Sequence, residues 1–291
     1  VTQHDSNQVP GLYRCRIGDV LVTAISDGYL DATFEVLRGI DAAGAETVLR
    51  ENFRPAPPRI SVNCYLLQSG TRTALVDTGS GDSMGPTLGR LHGLLARLGI
   101  AAGDVDTILL THMHPDHSNG LADADGTRLF PEAQLVVDEK ELAHWHDDTA
   151  RSRADETARA RYFDAARTQA APYRDRLASP GGEPFPNVTA VPLAGHTPGH
   201  TGYLVASGGD TLLIWGDICH VPDIQVRQPE VTMVFDVDPD AAIQARRRAF
   251  DMTATDRMLV AGMHLHFPGF CHMVRNGSGW RMVPEAWRFT V

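Results

Sequence analysis

The stretch 111–117 reads Thr-His-Met-His-Pro-Asp-His and constrains this chain more than any other. It follows an apolar-leaning run over 105–110, the length of a buried strand. Three histidines and an aspartate fall within six residues: His112, His114, Asp116 and His117. Imidazole and carboxylate are donors that zinc and its first-row neighbours accept readily. In an extended chain His112 and His114 point the same way, because strand side chains alternate with period two. Asp116 and His117 serve a second direction once Pro115 turns the backbone, so the segment predicts two adjacent metal positions rather than one. The plainer alternative is that each histidine is merely hydrogen-bonded and Asp116 caps a helix starting near His117. Four donors at this spacing favour metal.

The same residue types recur where other apolar runs end. The run 73–77 closes on Asp77 as the second arm of a hairpin with 62–67. Asp77 either accepts the spare ring N–H of a metal-bound histidine or caps the glycine-rich turn after it. Gly79 and Gly81 form no phosphate loop, since the Lys-Ser/Thr ending is missing. The run 188–193 leads into Gly195-His196-Thr197-Pro198-Gly199-His200, whose glycines allow a tight turn around His196. Thr197 and His200 are left as polar support. The run 211–215 leads to Gly216-Asp217-Ile218-Cys219-His220, and 257–261 to Gly262-Met263-His264-Leu265-His266. Strand ends along one sheet edge converge, and functional residues collect on such loops. The junctions at 112–117, 196, 217 and 264–266 are therefore expected to meet.

Between these strands the pattern turns helical. Over 84–98, Leu88, Leu91, Leu94, Leu95 and Leu98 share one broad face. Strand, helix, strand implies crossover units and an α/β fold. A strand is expected over 19–25 with a turn at Ser26-Asp27-Gly28, and 29–57 looks irregular. The segment of about 139–178 reads as a helical insertion, a lid or an oligomer contact. Within it Trp145 is expected in an apolar pocket wall, ahead of His144 or His146 as metal ligands. Residues 1–15 read as an arm, leaving 1–291 as one domain.

A chain of 291 residues, 43% hydrophobic, can bury a large core. Its net charge of −10 and lack of a basic stretch argue against nucleic acid. Four scattered cysteines contain no Cys-x-x-Cys pair and suggest no disulfide framework. No apolar run is long enough to span a bilayer, and the polar amino terminus is not signal-like. A cytoplasmic setting is expected, with export left open because the initiating methionine is absent.

The motifs His112-x-His114-x-Asp116-His117, Gly195-His196-x-x-Gly199-His200, Gly216-Asp217 and Gly262-Met263-His264 together resemble the metallo-β-lactamase superfamily. With Leu75-Val76-Asp77-Thr78-Gly79 the likeness extends over most of the chain. Ser61–Leu66, Phe130-Pro131 and Phe267-Pro268-Gly269 make it most similar to the methyl parathion hydrolase group, whose relatives include lactonases. Ser118-Asn119 departs from the small or glycine residues of many relatives. The resemblance implies an αββα four-layer sandwich, with His112, His114 and His196 holding one divalent metal. Asp116, His117 and His264 would hold a second, Asp217 would bridge, and Asp77 would support from behind. His266 competes locally with His264; the Gly-Met-His position favours His264 and leaves His266 in the pocket.

The implied cofactors are two divalent ions, zinc foremost, with manganese, iron or cobalt as alternatives. The implied chemistry is hydrolysis by a hydroxide shared between the metals, with Asp116 or Asp217 passing a proton. Trp145, His266, Phe267 and Phe270, near His200 and His220, would make a partly aromatic pocket for a neutral small molecule. A lactone leads, followed by an organophosphate triester, then a β-lactam or thiolester; a non-enzymatic metal module ranks last. A homodimer is the expected assembly, with no membrane partner.

Overall fold

The computed structural model describes residues 11–291. Of the expected arm, 1–10 lies outside the described residues, and 12–15 is instead the start of the first strand. Strands β1 (Leu12–Ile17) and β2 (Val20–Asp31) pair as a hairpin, and β3 (Leu37–Arg38) follows. The hairpin β4 (Arg59–Ser69) and β5 (Arg72–Val76) leads to β6 (Thr107–Leu109), β7 (Gln134–Val136) and β8 (Leu177–Ala178). The second half holds β9 (Val188–Pro192), β10 (Thr201–Ser207), β11 (Asp210–Ile214) and β12 (Thr232–Met233). It closes with β13 (Leu259–Ala261), β14 (Phe270–Asn276) and β15 (Gly279–Pro284).

These strands form a seven-stranded sheet, β1-β2-β4-β5-β6-β7-β8, and a six-stranded sheet, β15-β14-β13-β11-β10-β9. A small third sheet pairs β12 with β3. Alternation along each strand explains the layering, because neighbouring residues face opposite sides. Tyr65, Leu67 and Val76 meet Tyr203, Leu212 and Ile214 between the two large sheets. The intervening Leu66 and Leu75 face outward onto Leu91, Leu94, Leu95 and Trp145. On the other side Leu213, Trp215 and Val260 receive Ala245, Ala249 and Phe250 of the Pro239–Thr255 helix. The result is the expected αββα sandwich. The 139–178 segment supplies much of one helical layer, with Phe163, Ala166, Ala170 and Tyr173 buried in it.

Three local expectations are corrected. Ser26-Asp27-Gly28 is a bulge inside β2, not a turn. Buried Asp27 accepts hydrogen bonds from the backbone of Ser80, Gly89 and Leu91, which pins the loop beyond β5. The region 29–57 contains the end of β2 and an Ala42–Glu51 helix, capped by Asp41 accepting from Gly44 N–H. The helix expected over 84–98 is confined to Leu91–Arg97. Gly85 and Gly89, at φ +99° and +77°, and Pro86 hold the preceding stretch out of the helix.

Candidate metal centre

Parallel pairing places the carriers of the expected ligands at one edge. β5 runs parallel to β6, and β11 runs parallel to β13. Their carboxyl ends deliver Asp77, the 111–117 loop, Asp217 and His264 to one end of the sandwich. The loop after β9 adds His196. Asp217 stands at the centre: its Oδ2 lies 3.5 Å from His112 Nε2, 3.2 Å from His117 Nε2 and 3.3 Å from His196 Nε2. His220 Nε2 at 3.0 Å and His264 Nε2 at 3.1 Å complete a ring of five imidazoles around one oxygen. Asp116 Oδ2 lies 3.5 Å from both His117 and His264. The donor atoms form overlapping groups: His112 with His114 and His196, Asp116 with His117 and His264, and two groups that share Asp217.

The ring orientations are fixed from behind. His117 Nδ1 donates to Asp77 Oδ2 at 2.7 Å, His196 Nδ1 to Asp236 Oδ1 at 2.6 Å, and His264 Nδ1 to the Ser61 carbonyl at 2.7 Å. Metal-binding histidines are commonly held by such an outer acceptor, which leaves the inner nitrogen free. His200 stays outside the ring; its Nε2 accepts the Asp217 N–H at 2.9 Å. Gly216, at φ +60°, makes that approach possible, since a Cβ there would sit 2.3 Å from His200 Nε2.

The electrostatics divide the histidines. Burial drives His112 and His114 well below their ordinary pKa, helped by their imidazole neighbours. Burial also brings His200 and His220 down to about 4. In three others burial acts the same way but carboxylates prevail. Asp217 and Asp116 hold His117 well up, Asp217 and Asp236 hold His196 at about 9, and Asp217 raises His264. Burial likewise lifts the Asp77 carboxyl. For Asp217 and Asp116 it is overridden by His117 and His264, which hold both below the usual carboxylate range.

This donor set fits a pair of divalent cations. Buried His112 Nε2, His117 Nε2, His220 Nε2 and Asp217 Oδ1 make no hydrogen bond, although they crowd one point. Buried polar atoms without partners are uncommon, and nitrogens converging on a carboxylate without hydrogen-bonding geometry suit a cation between them. A dinuclear divalent-metal site is therefore evident in the fold.

A cavity of 260 Å³ opens onto this cluster, with His114, Asp116, Asp217, His220 and His264 at its floor. Leu30, Val36, Ile60, Met84, Tyr162 and Phe235 form its apolar wall. The expected wall is corrected. Phe270 is buried between Tyr13 and Tyr65 in the core. Phe267 lies outside the lining and is half exposed. His266 turns away to Asp223, 2.6 Å from its Oδ2. Trp145 is buried behind His114, with ring centres 5.5 Å apart, rather than on the wall. His220 enters the donor ring itself. Tyr162, Phe235, Asp236 and Glu141 were not legible as site residues: nothing in the sequence ties the first three to the distant histidines they touch, or Glu141 to the two ligand loops it bonds.

The chain matches known proteins in the same terms. Residues 57–264 fit the profile of the Metallo-beta-lactamase superfamily. Uncharacterized protein YobT of Bacillus subtilis (strain 168) is 28% identical over 172 residues, 59% of this chain and 67% of its own. The crystal structure of hydrolase AbOPH in the beta lactamase superfamily superposes with a TM-score of 0.90 at 29% identity, over 97% of this chain and 100% of that one. AidC, a dizinc quorum-quenching lactonase solved with a product, has a TM-score of 0.89 over the same shares at 23% identity, a likeness of fold. A profile covering most of the chain, the four-layer fold and the histidine–aspartate ring agree: the chain belongs to the metallo-β-lactamase superfamily.

Proposed function

We propose that this metal-dependent hydrolase opens lactones, and that zinc occupies its dinuclear site. The carrying observation is a cavity, apolar over most of its wall with Asp31 and Arg161 as the charged residues outside the donor cluster, that ends directly on the donor ring. Such a wall suits a neutral cyclic ester with a hydrocarbon substituent better than a charged phosphate. AidC, the similarly folded protein above, is a lactonase. Zinc suits the donors, which are imidazoles and carboxylates without thiolate.

We assign His112, His114 and His196 to one ion, Asp116, His117 and His264 to the other, and Asp217 to both, with His220 beside them. A divalent pair held by these residues would lower the pKa of water and polarise an ester carbonyl. The chain's own residues do the rest. Asp116 reaches the cavity floor and is held ionised by His117 and His264. It accepts the proton shed as water adds to the carbonyl and returns it to the departing ring oxygen. Tyr162, its phenol kept protonated because burial raises its pKa, closes the wall over His114. Leu30, Ile60, Met84 and Phe235 exclude water and hold the substituent.

The test is a panel of acyl-homoserine lactones, simple aliphatic and aryl lactones, a phosphotriester, a β-lactam and a thiolester, compared by kcat/KM on zinc-loaded protein. The lactones should lead by at least about tenfold, a difference of about 1.4 kcal/mol in transition-state stabilisation. A phosphotriester that outruns every lactone would overturn the assignment.

A further inference from the structure

Glu141 is fully buried on the Glu139–Trp145 helix, yet it touches no cation among the described residues. Its carboxylate is met by four neutral donors. Oε1 accepts from Met113 N–H at 2.9 Å and Trp145 Nε1–H at 2.7 Å. Oε2 accepts from Thr197 Oγ1–H at 2.6 Å and Gly199 N–H at 3.0 Å. Met113 stands between His112 and His114, and Thr197 follows His196. One side chain thus bridges the two loops that come from different sheets to supply one metal triad.

We propose that Glu141 is a positioning residue for the His112, His114 and His196 site. The geometry around it supports this in three ways. His114 Nδ1 and His196 Nε2 lie 2.9 Å apart, so their separation depends on how the two loops are held together. The Trp145 indole that Glu141 fixes also flanks His114. The fit at Gly199 is close, for a Cβ there would stand 2.4 Å from Glu141 N and 2.5 Å from Glu141 Cβ. Asp77 and Asp236 hold single imidazoles directly, whereas Glu141 sets the spacing between loops without touching an imidazole. Outer groups that orient ligands commonly change metal affinity by about 10–100-fold when replaced.

The inference rests on the dinuclear reading, and the test separates the two. Glu141→Gln turns an NH₂ toward two of the four donors, while Thr197→Val deletes one donor and leaves the carboxylate. Each variant and the parent would be titrated with zinc against a chromophoric chelator and with cobalt(II) followed by its visible absorption. Circular dichroism and unfolding of the metal-free proteins would be measured alongside. E141Q should bind one ion about 10–100-fold more weakly, keep the other at parental affinity, and lose part of the cobalt spectrum. T197V should move the same way by less. If E141Q does not fold, T197V decides. Parental affinity at both sites in the folded variants would overturn the proposal, as would equal weakening at both sites in step with lost stability. A parent binding fewer than two ions would instead overturn the dinuclear reading itself.

Discussion

Asp217 Oδ2 faces five imidazole nitrogens within 3.5 Å, so its charge is the most consequential in the molecule. Asp217→Asn should leave the fold intact, reduce metal content, and lower kcat/KM by about 10³-fold, checked by elemental analysis and lactone turnover. His264 and His266 make a sharper pair. Because His266 is committed to Asp223, His264→Ala should lose one ion per chain while His266→Ala keeps two. The histidines also set a pH response in the metal-free protein. His196 is raised to about 9, so its stabilising protonation is complete below the free-imidazole value of about 6.5 and is lost as pH rises through 9. His200 and His220, lowered to about 4, favour the fold when neutral, and that contribution is lost as pH falls from about 6.5 toward 4. Urea midpoints of chelated protein should therefore peak near pH 6.5 and decline on both sides. A midpoint climbing steadily to pH 9 would contradict this sign.

Among the elements, the Pro239–Thr255 helix holds the ground beneath the centre. Fully buried Arg246 donates to the carbonyls of Ile218, Pro229 and Val231, tying down the chain on both sides of His220. Arg246→Met strips the Ile218 and Pro229 carbonyls of their donor, while Val231 keeps that of Gln225, and should cost about 3 kcal/mol in a denaturant titration. Element by element, the strands were legible because their apolar runs are short and punctuated, and the ligand loops because donors cluster just past them. Tertiary satisfaction was not legible. Ser26-Asp27-Gly28 carries turn chemistry but stays within β2, since Asp27 finds its donors in a loop more than fifty residues away. Phe270 and Phe267 follow the His264 loop closely, yet the first strand of the closing hairpin carries Phe270 into the core. Leu30, Val36, Tyr162 and Phe235 come from four separate stretches, so no local pattern assembles the cavity.

For the whole molecule, the centre draws on both sheets, and ions bound only in the folded state stabilise it by mass action. Zinc at a hundred times its Kd contributes about 2.7 kcal/mol per site, so chelation should lower Tm by about 10 °C, read by scanning fluorimetry. An unchanged Tm after verified removal of the metal would contradict a centre shared between the sheets. The same division has a practical side. His112, His114, Asp116 and His117 precede the exposed connection near residue 180, while His196, Asp217, His220 and His264 follow it. Cutting the chain there yields two fragments, neither with a full ligand set, so recovered metal binding and hydrolysis would report their reunion and make the protein a split reporter for the proximity of any two partners fused to them.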